Sequence, residues 1–147
     1  DGAPLPRGAL KFIATPHRSY GGFARNGVFS FKGMPGRYIV ACAEHHLVTI
    51  AALAAGANNH LSFISGTAAL RVSMPHAGRW YAGLQLDFEA QSVQLANQHI
   101  RDADELTFDR LPAGTYKLYC YGGTGDSTTN MTHTLQLGSG QQAHVRF

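Results

Sequence analysis

Eight histidines occur in 147 residues, two of them adjacent at His45-His46. Imidazole is the commonest metal ligand near neutral pH. Successive strand residues point to opposite faces, so this pair reaches one ion together only from a loop. Asp102, Asp104 and Glu105 are a second cluster, with carboxylates close enough to attract calcium but no glycine-centred loop of ligands around them, and they read first as turn residues. The sequence has no Gly-x-Ser-x-Gly elbow, no phosphate-cradling loop and no Cys-x-x-Cys, and its serines and histidines show no triad spacing. The expectation is therefore no catalytic residue, no cofactor and no committed metal site, with His45, His46, Asp102 and Asp104 as weak metal candidates.

Aromatic side chains are the stronger lead. Trp80 with Tyr81, and Tyr20 with Phe23, offer flat apolar faces on which a sugar ring can stack, or which can fill a seam between two halves of the chain. These four residues are the ligand or interface candidates. Asn130-Met131-Thr132 is an N-glycosylation sequon on an expected loop, beside hydroxyls at Ser127, Thr128 and Thr129.

The elements that must hold these residues are legible from a repeat. In Leu106–Tyr121, LTFDRLPAGTYKLYCY, an alternating strand meets a Pro-Ala-Gly turn and a second strand in which Tyr116, Leu118 and Cys120 share a face. Proline presets φ and glycine admits conformations closed to other residues, which gives strand, turn, strand. Phe29–Ala43, FSFKGMPGRYIVACA, repeats the pattern with Tyr38, Val40 and Cys42. From the glycine onward both copies read Gly-x-Tyr-x-(Val/Leu)-x-Cys. Connections are too short for the crossovers that parallel sheets need, so the chain is expected to be all-β, in two tandem antiparallel β-sandwich modules. The expected organisation is an extended arm at 1–8, one module at 9–66 and a second at 67–147. Cys42 and Cys120 fall at matching inward places; in separate sandwiches the two sulfurs are too far apart to bridge, which favours two buried thiols.

In chain order, 9–14 is an expected strand and 15–27 a polar, glycine-rich connection. Leu47–Leu53 reads as a strand or short helix, and Leu61, Phe63 and Ser65 as a closing strand. In the second half, 68–73 and 84–88 are expected as separate strands, 93–100 as strand or helix, 101–105 as a polar turn, and 132–137 with 142–147 as a terminal hairpin. The arm is expected to be loosely docked or laid along the sheet edge of a neighbouring copy. The chain opens on Asp1 without the basic-then-apolar pattern of a signal peptide, as a processed N-terminus or an excised fragment would.

Charge narrows the partners. Charged residues are 14% of the chain and the formal net charge is +3. The positive excess sits in residues 1–66, with six Lys or Arg against two acids, while 67–147 has six against seven. The first-half cations are scattered singly and form no run, which argues against nucleic acid. The most apolar run, 47–57, is far short of the roughly 20 residues of a membrane helix, so no membrane span is expected.

The strand, the (Leu/Met)-Pro-(Ala)-Gly-x-Tyr-x-(Leu/Val) hairpin and the closing strand resemble the carboxypeptidase regulatory-like and Cna-B-like modules, which are prealbumin-like β-sandwiches. The resemblance covers 102–147 and 26–65 and implies fold more than function. It implies non-catalytic work in secreted and surface proteins. Cna-B-like modules often carry a Lys-Asn isopeptide bond; here Lys11 lacks an acidic helper and Arg71 takes its place in the second half. Intradiol dioxygenases build an iron site from tyrosines and histidines on this fold, for which Tyr38, His45 and His46 would have to serve. The transthyretin-like hydrolases end in Tyr-Arg-Gly-Ser, whereas this chain ends His144-Val-Arg-Phe147. The leading expectation is a non-enzymatic extracellular structural or assembly protein, a cell-surface, stalk or filament subunit that contacts itself or a neighbouring surface protein. The alternatives are a carbohydrate-binding or accessory module of a larger secreted enzyme, and a mononuclear metal enzyme.

Overall fold

The structure, a computed structural model, describes residues 4–5, 7–14, 18–57, 59–123 and 128–147. These residues form two compact units, 1–64 and 65–147, both built from strands.

The first unit contains β1 (Arg7–Ala14), β2 (Arg18–Arg25), β3 (Val28–Ser30), β4 (Gly36–Cys42) and β5 (Leu47–Leu53). They form one antiparallel sheet in the order β3-β2-β1-β4-β5. Three consecutive strands with a fourth returning beside the first is Greek-key order. Leu10, Phe12, Tyr38, Val40, Cys42, Ala51 and Leu53 form its buried cluster, as period-two alternation requires. Phe12 lies 4.4 Å from the Phe31 ring and 6.3 Å from Tyr38, edge to face with the latter.

Several expectations need correction here. Residues 15–27 are no mere connection, because β2 runs from Arg18 to Arg25. Its glycines hid it, yet Gly22 is needed there: a Cβ would stand 2.5 Å from the Phe12 ring. Leu61–Ser65 is not a strand and makes only an isolated bridge, Ile64 to Val48. The Thr49 hydroxyl instead donates to the Ser62 carbonyl at 2.5 Å, and Leu61 and Phe63 pack on the core. The arm does not stand apart where it is described. Leu5 packs on its own unit's core, its carbonyl accepts from Gly27 N at 2.7 Å, and Arg7 and Gly8 already belong to β1. Residues 1–3 and 6 lie outside the described residues.

The second unit is organised by one long hairpin, β6 (Ala68–Phe88) and β7 (Gln91–Leu111), paired along their length. The separate strands expected at 68–73 and 84–88 are one strand, and Arg101–Glu105 is not a turn but part of β7. Register shifts between Ser73 and Arg79 explain the misreading, because a bulge breaks the alternation without ending the pairing. Asp102 sits in this irregularity at φ 56°. Beyond it follow β8 (Gly114–Gly123), β9 (Thr129–Leu137) and β10 (Gln142–Arg146). The first part of β6 pairs with β10, in parallel, and its later part with β8, which pairs with β9. The hairpin therefore carries two stretches of one five-stranded sheet, a three-strand layer β7-β6-β10 and a four-strand layer β7-β6-β8-β9. Phe108, Leu70, Leu84, Leu86, Leu118 and Tyr116 are fully buried.

The repeated motif has one physical meaning in both units. The Tyr38 hydroxyl donates to the Met34 carbonyl and that of Tyr116 to the Pro112 carbonyl, each at 2.6 Å and four residues upstream. This is a tyrosine corner, which pins the turn to the strand that follows. Cys42 and Cys120 are both free and buried.

Candidate functional site

Alternation on β6 sends Trp80 inward and Tyr81 outward. Trp80 is 2% exposed and its indole N–H donates to the His76 carbonyl at 3.1 Å, so its face is not presented to a ligand. Tyr81 opens onto the outer face of the four-strand layer. There it stands opposite His99 of β7 and Tyr121 of β8, with ring centroids 4.9 and 5.2 Å away. Tyr119 adds a third phenol 6.0 Å from Tyr81. The Tyr119 and Tyr121 rings are tilted by 36° and 38° from that of Tyr81, and the three phenols gather about it as one aromatic patch.

Backbone features hold this patch. Tyr119 lies across Gly83, where a Cβ would stand 2.2 Å from its ring; only glycine lets the ring settle so close to the sheet. Its hydroxyl donates to Gln94 Oε1 at 2.5 Å, while the Gln94 amide donates to the Ala96 carbonyl, across the bulge between Leu84 and Gln85. Burial pushes the Tyr119 hydroxyl up to about 12, so it remains a donor at neutral pH. Asn97 faces Gly83, Thr132 faces Tyr119 and Asn130 faces Tyr121, all without charge. One pair further along the same face, Arg79 and Arg101 stand directly opposite each other, both exposed. Among the described residues neither takes part in an ion pair.

The other candidates are dispersed. Tyr20 sits in the aromatic cluster of the first unit, 5.7 Å from Phe31 and 6.1 Å from Tyr38, whereas Phe23 is exposed beneath the Arg7 guanidinium. His45 ends a short 3-10 turn, Ala43–His45, and its Nε2–H donates to the Arg7 carbonyl at 2.7 Å. His46 follows in the left-handed region at φ 54°. Asp102 and Asp104 are exposed, and no three His, Cys, Asp or Glu come together at metal-holding distance among the described residues. Asn130 is exposed on β9 rather than in a loop, and Ser127 lies outside the described residues.

A Ser-His-acid grouping does occur on the three-strand layer, brought together by register rather than by any triad spacing. Ser73 Oγ donates to Glu105 Oε1 at 3.1 Å and lies 2.7 Å from His144 Nε2. With its proton committed to the carboxylate, the serine accepts from the imidazole, which reverses the order a nucleophile needs. Arg71 binds the same carboxylate and, chiefly through that hydrogen bond, holds it below the usual carboxylate range. All of this is exposed, and such surface pairs add little stability. The two thiols are equally unsuited to attack. Burial raises both, Cys120 to about 12, leaving almost no thiolate near neutral pH.

The sequence reading missed Tyr119, Tyr121 and His99. The signal was present in the tyrosines alternating with Leu118 and Cys120, but attention to the inward residues of that strand left its outward ones unread. Comparison with known proteins adds no further lead: no family model, no curated protein and no solved structure matches this chain.

Proposed function

We propose that the chain is a non-enzymatic extracellular assembly module, made of two units of the carboxypeptidase regulatory-like or Cna-B-like kind. Two features support the resemblance. One is the tyrosine corner built on the repeated motif. The other is the all-β, largely antiparallel build of both units.

The observation that carries the assembly reading is the edge of the first unit. β3 is the outermost strand of its sheet, and Val28 at its start is 72% exposed. Phe23, on the neighbouring β2, is exposed at 44%, and Met34, in the connection that follows β3, at 60%. An open edge offers unpaired backbone groups, and apolar side chains on it add area for a neighbour; proteins that remain single usually put charge or proline there. The occupant is the edge of a second copy or of a neighbouring surface protein. Sedimentation of the purified chain over a wide concentration range tests this. Concentration-dependent association that disappears in Val28→Lys supports it, and a monomer at every concentration overturns it.

A further inference from the structure

We propose that the outer face of the four-strand layer binds carboxylate-bearing glycans, with pyranose rings stacked on Tyr81, Tyr119 and Tyr121 and the uronate carboxylate held by Arg79 and Arg101. This goes beyond the assembly reading and is independent of it, since it uses no residue of the first unit.

Three observations lead here. First, the patch is prearranged: Gly83 and the bulge-sealing Gln94 fix Tyr119 before any ligand arrives. A ligand that stacks there therefore orders few side chains, and preorganisation is what converts contact into affinity. Secondly, Tyr121 is 48% exposed, whereas every other Phe, Tyr or Trp described in its unit is buried or half-buried, so its apolar face is left for a partner. Thirdly, like charges directly opposite across a strand pair repel, and Arg79 faces Arg101 in that way. An anion between the two guanidiniums removes the repulsion and gains forked hydrogen bonds, for which a carboxylate has the matching geometry.

The surroundings favour a glycan over a nucleic acid, the other polymer that stacks on aromatics. Single-stranded nucleic acid needs a positive track along its backbone. This unit instead carries six cations against seven acids, and the rows beside the tyrosines hold Asn97, Thr132 and Asn130, which suit hydroxyls rather than phosphates.

Affinity electrophoresis of the whole chain tests the proposal, in gels containing polygalacturonate, alginate or hyaluronan, with neutral dextran and single-stranded DNA in parallel. At least one uronate polymer is expected to retard the protein more than dextran or DNA, and the retardation is expected to weaken with salt. Tyr121→Ala is expected to weaken binding about tenfold, while Tyr121→Trp preserves it. Arg79→Gln with Arg101→Gln is expected to remove the preference over dextran. Tyr121 is exposed, so folding is not at stake in its variants, and the emission of buried Trp80 verifies it. No retardation by any uronate polymer, tighter binding to DNA, or binding indifferent to Tyr121→Ala overturns the proposal.

Discussion

The same corner is built twice, in different company. In the first unit Tyr38 donates to Met34 among the rings of Phe12, Phe31 and Tyr20, on one face of a single sheet. In the second, Tyr116 donates to Pro112 while itself fully buried, with its hydroxyl pushed well above the ordinary range by burial. The bond length is 2.6 Å in both, so the bend itself is indifferent to what surrounds it. The motif dictates a local turn, and the remaining strands decide how deeply that turn is buried.

This contrast can be broken first at the cores. Phe108→Ala removes a fully buried ring and is expected to cost about 3–5 kcal/mol, whereas Phe12→Ala should fall at or below the lower end because neighbouring rings can close over the gap. Trp80 is the only tryptophan and is buried in the second unit, so its fluorescence during denaturation follows that unit alone. Pulsed alkylation of Cys42 follows the first. Equal losses in both units would mean that the first sheet is packed as tightly as the second.

A smaller effect should separate the corners themselves. Tyr116→Phe leaves the buried Pro112 carbonyl without its donor and is expected to cost about 1–3 kcal/mol; Tyr38→Phe breaks a bond that is only part-buried, to the carbonyl of the exposed Met34, and should cost about 0.5–1.5 kcal/mol. The same two readouts measure the difference, and a larger loss in the first unit would reverse the comparison.

The smallest expected effect is alkaline. Burial raises the Cys120 thiol to about 12, so the folded unit keeps a proton that the unfolded chain gives up near pH 9. The stability this contributes is whole below that pH and is lost as pH rises toward 12, by at most about 1.4 kcal/mol per pH unit for one group. Tyr119 shifts in the same direction. Denaturation midpoints followed by Trp80 between pH 8 and 10 should therefore fall, and should fall less steeply in Cys120→Ala. A flat profile would contradict a thiol sealed from water.

What the sequence made legible follows from what each signal depends on. The Pro-Gly bends were readable because proline presets φ and glycine tolerates what other residues resist, but the hairpins expected there do not form: β4 pairs with β1 and β5 rather than β3, and β8 with β6 and β9 rather than β7. β2 was not, because Gly21 and Gly22 signal a loop unless one knows that the Phe12 ring lies over the second of them. The continuity of β6 and β7 was hidden by irregularities at Ser73–Arg79 that shift the inward-outward code part way along. For the outer face, Tyr81 was found from its aromaticity alone. Its companions Tyr121 and His99 come from other strands, and only the register brings them to it.

The parallel pairing of β10 with the start of β6 has a consequence for synthesis. In the first unit most strands pair with neighbours in sequence, so its sheet can form while translation continues. In the second, Leu70 to Ser73 wait for residues 143 to 146 to leave the ribosome before that edge is covered. A nascent chain stalled just short of residue 142 would carry a finished first unit and a second whose leading strand lacks its partner along one edge, the point at which a chaperone has most to hold.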